Sequence, residues 1–258
     1  MNGFLDWSRG LALPVAAAWL LVANLVSFTL ALVFGHLATW ICARRRISLP
    51  PDPLETRELL YAATGLGVNW LITIVAWFLW RQGFVVIRRD VGLRAWLDVP
   101  ILVLVMDLAM YLLHRLVHLP WFFPIHRLHH EYDRPRPLSL FVLHPLETFG
   151  FGVLWLVVIT IYPSSWLGLS AYLAINLGAG MLGHLGVEPF PSWWSQLPAL
   201  RQLGTSTFHA RHHQDIHHNF GFYTVVWDRL FGTLVPHYDA QFGRPLTGSS
   251  STEVSVDS

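Results

Sequence analysis

Five apolar stretches dominate the chain and restrict it to one kind of backbone. Residues 11–35, LALPVAAAWLLVANLVSFTLALVFG, are almost uninterrupted. The hydrocarbon core of a bilayer takes about 20 such residues as a helix, so a first transmembrane helix is expected there. This run is too long for the apolar part of a signal peptide and has no basic segment before it, so it reads as a retained span. Residues 59–80 form a second run, with Asn69 as its polar interruption, and residues 97–113 a third, with Asp107 inside it. Two more runs, 148–162 and 166–185, are split only by Pro163-Ser164-Ser165 and read as a tight transmembrane hairpin. The expected fold is all-α: a multi-span membrane helical bundle of about three helices plus that hairpin. Hydrophobic residues make up 53% of the chain and charged ones 13%, a balance suited to a membrane protein. A net charge of +1 offers no electrostatic footprint for nucleic acid. The single cysteine, Cys42, excludes an internal disulfide, a CxxC redox pair and a thiolate zinc site.

The third apolar run flows directly into His114 and the stretch HRLVHLPWFFPIHRLHH. It contains His114-x3-His118 and His126-x2-His129-His130, and a second cluster, His209-x2-His212-His213, lies about eighty residues on. Spacings of three and four put side chains on one helical face, so each cluster aims several imidazoles in one direction. One histidine pair is a weak signal, but three such clusters in a membrane-type chain point to metal. A structural zinc takes four ligands and a catalytic zinc three, so eight or nine histidines suit two metals better than one zinc. The chain has no HExxH, which removes support for a zinc protease. It also lacks the Glu and Glu-x-x-His pattern of carboxylate-bridged di-iron bundles. Pro120 and Pro124 should break the helix between the first two clusters and let their faces converge.

The clusters carry a resemblance that continues beyond them. HPLE at 144–147, Asn219-Phe220-Gly221 and WDRLFGT from Trp227 to Thr233 accompany HxxxH, HxxHH and HxxHH. Together they resemble the fatty acid hydroxylase/sterol desaturase superfamily of membrane histidine-box di-iron oxygenases, over roughly residues 97–235. The resemblance implies two iron ions held mainly by histidine, with His114, His118, His126, His129, His130, His209, His212 and His213 as ligands. It implies O2-dependent hydroxylation or desaturation of a lipid C–H bond. The sequence leaves open whether the lipid is a sterol, fatty acyl chain, carotenoid, ether lipid or hydrocarbon. Electrons would come from a separate reductase, because no flavin, haem or CxxC motif is present. Three regions are expected: transmembrane helices and loops at 1–96, a histidine-box catalytic region with the hairpin at 97–237, and a disordered polar tail at 238–258.

Counting spans brings every histidine cluster to one membrane face, carried on a helical cap. Arg44-Arg45-Arg46 at the end of the first span assign that face to the cytoplasm. Arg81, Arg88, Arg89 and Arg94 would then lie outside, against the charge bias. The convergence demanded by a shared metal site outweighs that statistical preference. The hairpin returns His184 to the same face, flanked by Gly180 and Gly183, and His184 is therefore expected as a ninth ligand. Glu188, four residues on, is a weaker ligand candidate. His217 and His218 are less favoured as ligands or supports, and His144 is expected to be supporting or structural. Glu147 could fix an imidazole tautomer, and Asp107 could orient a ligating histidine. Asp228 and Arg229 read as a structural pair or cap, while His36 and His237 read as bland. The rival readings are a bis-histidine haem protein, a catalytically dead lipid binder, and a non-catalytic membrane metal-binding or metal-transport protein. Transport would call for acidic or histidine residues along the bilayer midplane.

Overall fold

The structure is a computed structural model and describes residues 2–246. Five helices form its body: α2 (Leu13–Ile41), α3 (Thr56–Gln82), α4 (Leu93–Val117), α6 (Pro145–Ile161) and α7 (Trp166–Gly183). A short helix, α1 (Asn2–Gly10), precedes them, and α5 (Phe123–His130) lies between α4 and α6. The helices α8 (Ser206–Gln214), α9 (Val226–Phe231) and α10 (Tyr238–Gln241) complete the C-terminal part. Helices α2, α3, α4 and α7 are long and apolar enough to cross a membrane; α6, at 17 residues, is shorter. Large apolar side chains such as Trp19, Val22, Leu30 and Val33 point outward along α2, as lipid-facing residues do.

The five body helices close a ring, because α2 packs on α3, α3 on α6, α6 on α4, α4 on α7, and α7 back on α2. Small residues let the backbones approach. A Cβ at Gly168 would come within 2.5 Å of Asp98 Cβ, and one at Gly152 within 2.7 Å of Ile72. With lipid outside and no hydrophobic drive between helices, such close packing is the main source of cohesion. Tyr172 and Tyr223 join Leu102, Met106, Met110 and Val158 in the largest buried cluster.

The hairpin forms as expected. Ser165 caps α7 by accepting from Gly168 N at 3.0 Å. The opposite end of the ring from the histidines is tied by Asp98, which is 1% exposed. Its carboxylate accepts from both Arg88 Nη2 contacts at 2.9 and 3.1 Å, from the Tyr162 hydroxyl at 2.8 Å and from Ser165 N at 2.6 Å. The same arginine segment forms a two-residue parallel pairing of Ile87–Arg88 with Ser164–Ser165. Arg88 and Arg89 are thus committed to Asp98, Asp90 and Asp6. Helix α1, for which no element was expected, supplies Asp6 and packs on α3, where Trp77 Nε1 donates to Ser8 O.

One expectation is corrected. The polar tail does not begin at 238: Tyr238 and Phe242 are buried, and Leu246 N donates to Ile47 O at 2.7 Å. The Tyr238 ring packs on Phe208, so two aromatics in a polar stretch hold this segment down. The rest of the expected disordered tail, 247–258, lies outside the described residues.

Removing one member of a buried, hydrogen-bonded ion pair leaves its partner uncompensated. Asp98→Ala is therefore expected to cost about 3 kcal/mol of stability. Thermal unfolding of the detergent-solubilised protein, followed by tryptophan fluorescence, should show a lowered midpoint.

Candidate metal centre

Four helix ends meet at one end of the ring. Helix α4 delivers His114 and, at its C-cap, His118; α7 delivers His184 at its C-cap. Helix α5 brings His126, His129 and His130, and α8 brings His209, His212 and His213. The break between α4 and α5 falls at 118–122, over Pro120, and Pro124 opens α5. The nine rings sort into two nests. His114, His118, His126, His130 and His212 form one, and His129, His184, His209 and His213 form the other. Within each nest one nitrogen from each ring lies within 4.8 Å of its counterparts on the others. The HxxHH spacing explains the division. His126 and His130, four apart on α5, face one nest, while His129 turns to the other. His209 and His213 share the second nest, while His212 turns to the first.

The proton positions show what these nests can hold. His114 Nδ1 lies 2.9 Å from Phe220 O, His184 Nδ1 2.8 Å from Gly180 O, and His212 Nδ1 2.7 Å from His218 O. A carbonyl only accepts, so each of these Nδ1 atoms carries the proton and each Nε2 presents a lone pair. His126 Nδ1 likewise meets Glu147 Oε1 at 2.6 Å. The consequence is nitrogen facing nitrogen. His114 Nε2 is 3.2 Å from His126 Nε2. His209 Nε2 is 3.2 Å from His184 Nε2, 3.4 Å from His129 Nε2 and 3.1 Å from His213 Nε2. One N–H cannot serve three neighbours. In the first nest His212 Nε2 and both ring nitrogens of His118 and His130 are buried without a partner. Two imidazole ligands of one ion, each bonded at about 2.0–2.1 Å, place their nitrogens about 3 Å apart. The spacing and the orphaned lone pairs both fit a transition-metal ion in each nest.

Burial favours the metal-binding form of the rings. Desolvation pushes His118 and His126 down to about 2 and His184 down to about 4 from 6.5. His129, His130, His209, His212 and His213 are lowered for the same reason, reinforced by neighbouring imidazoles. All stand neutral near pH 7, with nitrogen lone pairs available.

Two of the carbonyls that orient the rings, Phe220 O and His218 O, come from an irregular segment, while Gly180 O belongs to α7. Asn219 adopts φ 63, a left-handed conformation that asparagine tolerates. Its side chain donates to Phe208 O at 3.0 Å and accepts from Val235 N at 2.9 Å. Asp228 accepts from Phe220 N and Gly221 N, each at 2.8 Å, and from Thr233 Oγ1 at 2.7 Å. The Asn219-Phe220-Gly221 and WDRLFGT motifs are therefore one device, which presents Phe220 O to His114. Gly183 permits the close approach of α8, since a Cβ there would sit 3.2 Å from the His209 ring.

Several expected supports are placed elsewhere. Asp107 does not touch a histidine; it accepts from Tyr223 N, Thr224 N and Thr224 Oγ1 at 2.9, 3.2 and 2.5 Å, fixing the loop to α4. Glu188 is not in a nest. Its carboxylate accepts from Thr207 N at 2.9 Å and Thr207 Oγ1 at 2.7 Å, anchoring the first turn of α8. Asp228 and Arg229 do not pair; Arg229 binds Asp239. His144 caps α6 by accepting from Leu146 N. His218 Nδ1 meets Asp215, and the contribution of this residue to the site is its carbonyl. Neither His217, His36 nor His237 belongs to a nest. The carbonyl partners were not legible in the sequence, because any residue type can offer a carbonyl.

Fold and site define a membrane-embedded helical ring with two histidine nests at one end. The sequence profile of the fatty acid hydroxylase family matches residues 99–233, and the chain belongs to that family, within the fatty acid hydroxylase/sterol desaturase superfamily. It is 28% identical to a Delta(7)-sterol 5(6)-desaturase of Candida albicans over 222 residues, 79% of this chain and 55% of the relative. It is 26% identical to cholesterol 25-hydroxylase-like protein 1, member 2 of Danio rerio, over 85% of this chain and 83% of that one. Methylsterol monooxygenase 2-2 of Arabidopsis thaliana is 27% identical over 69% of this chain and 67% of its own length. The chain spans about half the length of the Candida relative. No solved structure matches it.

Acid should undo the site. Ring pKa values in the folded chain lie below the unfolded value of about 6.5, so below that pH the unfolded state binds more protons. The stability contributed by the neutral rings is present above 6.5 and is lost as pH falls towards 4 and lower. A protein sample moved from pH 7.5 to pH 5 is expected to unfold at lower temperature, measured by tryptophan fluorescence.

Proposed function

We propose that the two nests hold two iron ions and that the protein catalyses O2-dependent hydroxylation or desaturation of a lipid C–H bond. The observation that carries this reading is the set of facing imidazole nitrogens, 3.1–3.4 Å apart where paired, in two adjoining groups. The names of the relatives, sterol desaturase and methylsterol monooxygenase among them, agree with it. Bound iron would supply the oxidising power, drawn from O2, that an unactivated C–H bond requires. Hydroxylation places one oxygen atom in the C–H bond and reduces the other to water; desaturation removes two hydrogens and reduces both oxygen atoms to water. Each takes two electrons and two protons from outside, so a separate reductase is the electron donor.

The protein's share is positioning. His114, His118, His126, His130 and His212 would hold one ion; His129, His184, His209 and His213 would hold the other. Phe220 O, Gly180 O, His218 O and Glu147 hold the Nδ1 protons, so that each Nε2 is aimed inward. Residues 97–237 form the catalytic region, and the helices within 1–96 close the ring that houses the hydrocarbon. Arg45 and Arg46 pair with Glu188 and Val187, a few residues beyond His184, and this basic run at the histidine end supports a cytoplasmic face for the centre. A transport role is less well supported, because the Asp107 carboxylate is occupied by the Tyr223–Thr224 segment.

Lipid mass spectrometry of cells with and without the protein is expected to show a species gaining one oxygen or losing two hydrogens. His126→Ala and His213→Ala should abolish that change, whereas His36→Ala and His237→Ala should keep it. If all four variants behave alike, the ligand assignment fails. Purified active protein should carry about two ions per chain, and Glu147→Gln should weaken metal retention about tenfold or more.

A further inference from the structure

A cavity of about 420 Å³ lies inside the ring, walled by all five body helices. A second of about 250 Å³ adjoins it; both are bordered by Asn24, Ser27, Asn69, Thr148 and Asn176. The second cavity ends at Gly180 and Phe222, which also border a small space beside His184 and His209. The three spaces follow one another from the middle of the bundle towards the four-histidine nest. Gly180 and Phe222 form the wall between the last two, closely packed, since a Cβ at Gly180 would lie 2.9 Å from Leu140 and 3.3 Å from Phe222.

The wall is not purely apolar. Asn24 Nδ2 donates to Leu20 O at 2.8 Å, which fixes its amide and leaves Oδ1 to accept from Asn69 Nδ2 at 2.5 Å. Asn69 is thereby oriented too, and its Oδ1 remains as an acceptor. Across the cavity Asn176 Oδ1 accepts from the Tyr223 hydroxyl at 2.5 Å, which leaves its Nδ2 as a donor. Thr148 Oγ1 and Trp155 Nε1, on the same wall, are buried without a hydrogen-bond partner. Polar groups at bilayer depth are costly unless something answers them. An acceptor and a donor facing one cavity match one chemical group best, a hydroxyl, which is both at once. Asn176 lies eight residues before His184 along α7, about 12 Å at the helical rise.

We propose that this cavity binds a lipid alcohol with its hydroxyl group inward, hydrogen-bonded between Asn69 and Asn176, and with its far hydrocarbon end directed towards the Gly180–Phe222 wall and the histidines behind it. The inference rests on the proposed lipid oxidation at the nests and adds an orientation to it. The substrate's polar group sits deep in the bundle, and the carbon to be oxidised lies on the order of 12 Å away from it. A hydrocarbon tail entering first, with its headgroup at the membrane surface, is the opposite arrangement.

The test uses the metal-loaded full chain in phosphatidylcholine nanodiscs and two matched probe pairs, cholestanol with 5α-cholestane and 1-octadecanol with octadecane. Retention is measured by size exclusion and mass spectrometry. In at least one pair the alcohol should bind about tenfold or more tightly than its hydrocarbon, the effect of about two hydrogen bonds. Asn69→Leu and Asn176→Leu should each reduce that preference about threefold to tenfold with metal content unchanged, and each should also lower the unfolding temperature, because Asn24 and the Tyr223 hydroxyl lose a partner. Thr148→Val, which removes no bond within the protein, serves as the milder variant. Equal retention within both pairs, or retention of none of the four probes, overturns the proposal. So does a preference that survives both asparagine substitutions. Loss of metal binding or of lipid oxidation in the unaltered protein would instead overturn the catalytic reading, so the two failures are distinguishable.

Discussion

Nitrogen lone pairs that face one another in a buried space repel unless a cation lies between them, and this constraint organises the histidine end of the molecule. Nine imidazoles are held there, and burial keeps those beyond the spans neutral. No arrangement of protons satisfies them all. His209 Nε2 alone has three nitrogen neighbours within hydrogen-bond distance. The rest of the structure works to maintain that crowding. Glu188 pins the start of α8, Asp107 pins the loop after Gly221, and Asp228 shapes the turn that gives His114 its carbonyl. Asp107 and Glu188, which sequence reasoning placed beside the histidines, act one layer further out, on the backbone that carries the rings.

The spans, the hairpin and the convergence of the histidines were legible because each rests on a strong periodic or compositional signal. Apolar runs of about 20 residues admit only helices in lipid, and the spacing of the histidines fixes which share a face. His184 was legible by a different route. It stands alone in sequence, but the hairpin had to bring it back, and it meets His209 at 3.2 Å. The allocation of His126 and His130 to one nest and His129 to the other follows from the same helical spacing once α5 is seen to lie between the nests.

What sequence could not reveal was mostly backbone and distance. Glu147 was recognised as able to fix a tautomer, but its partner, His126, lies 21 positions away, and only the packing of α6 against α5 joins them. Helix α1 was missed because its nine residues are too few and too polar to register as a span. The start of the tail was misjudged because Tyr238 and Phe242 are scattered in a polar stretch whose anchorage comes from Phe208 and Ile47, distant in sequence. Asn69, which read only as a break in an apolar run, lines a cavity among the helices.

Helix α5 has eight residues and gives ligating rings to both nests from adjacent positions, His129 and His130. A helix that short moves as a rigid body. It cannot be drawn towards one nest without being displaced relative to the other. Occupancy at either nest must then alter the free energy of filling its neighbour, and by thermodynamic reciprocity the influence is equal in both directions. The two nests share one mechanical part, so ions bound in them would load and empty as a linked equilibrium.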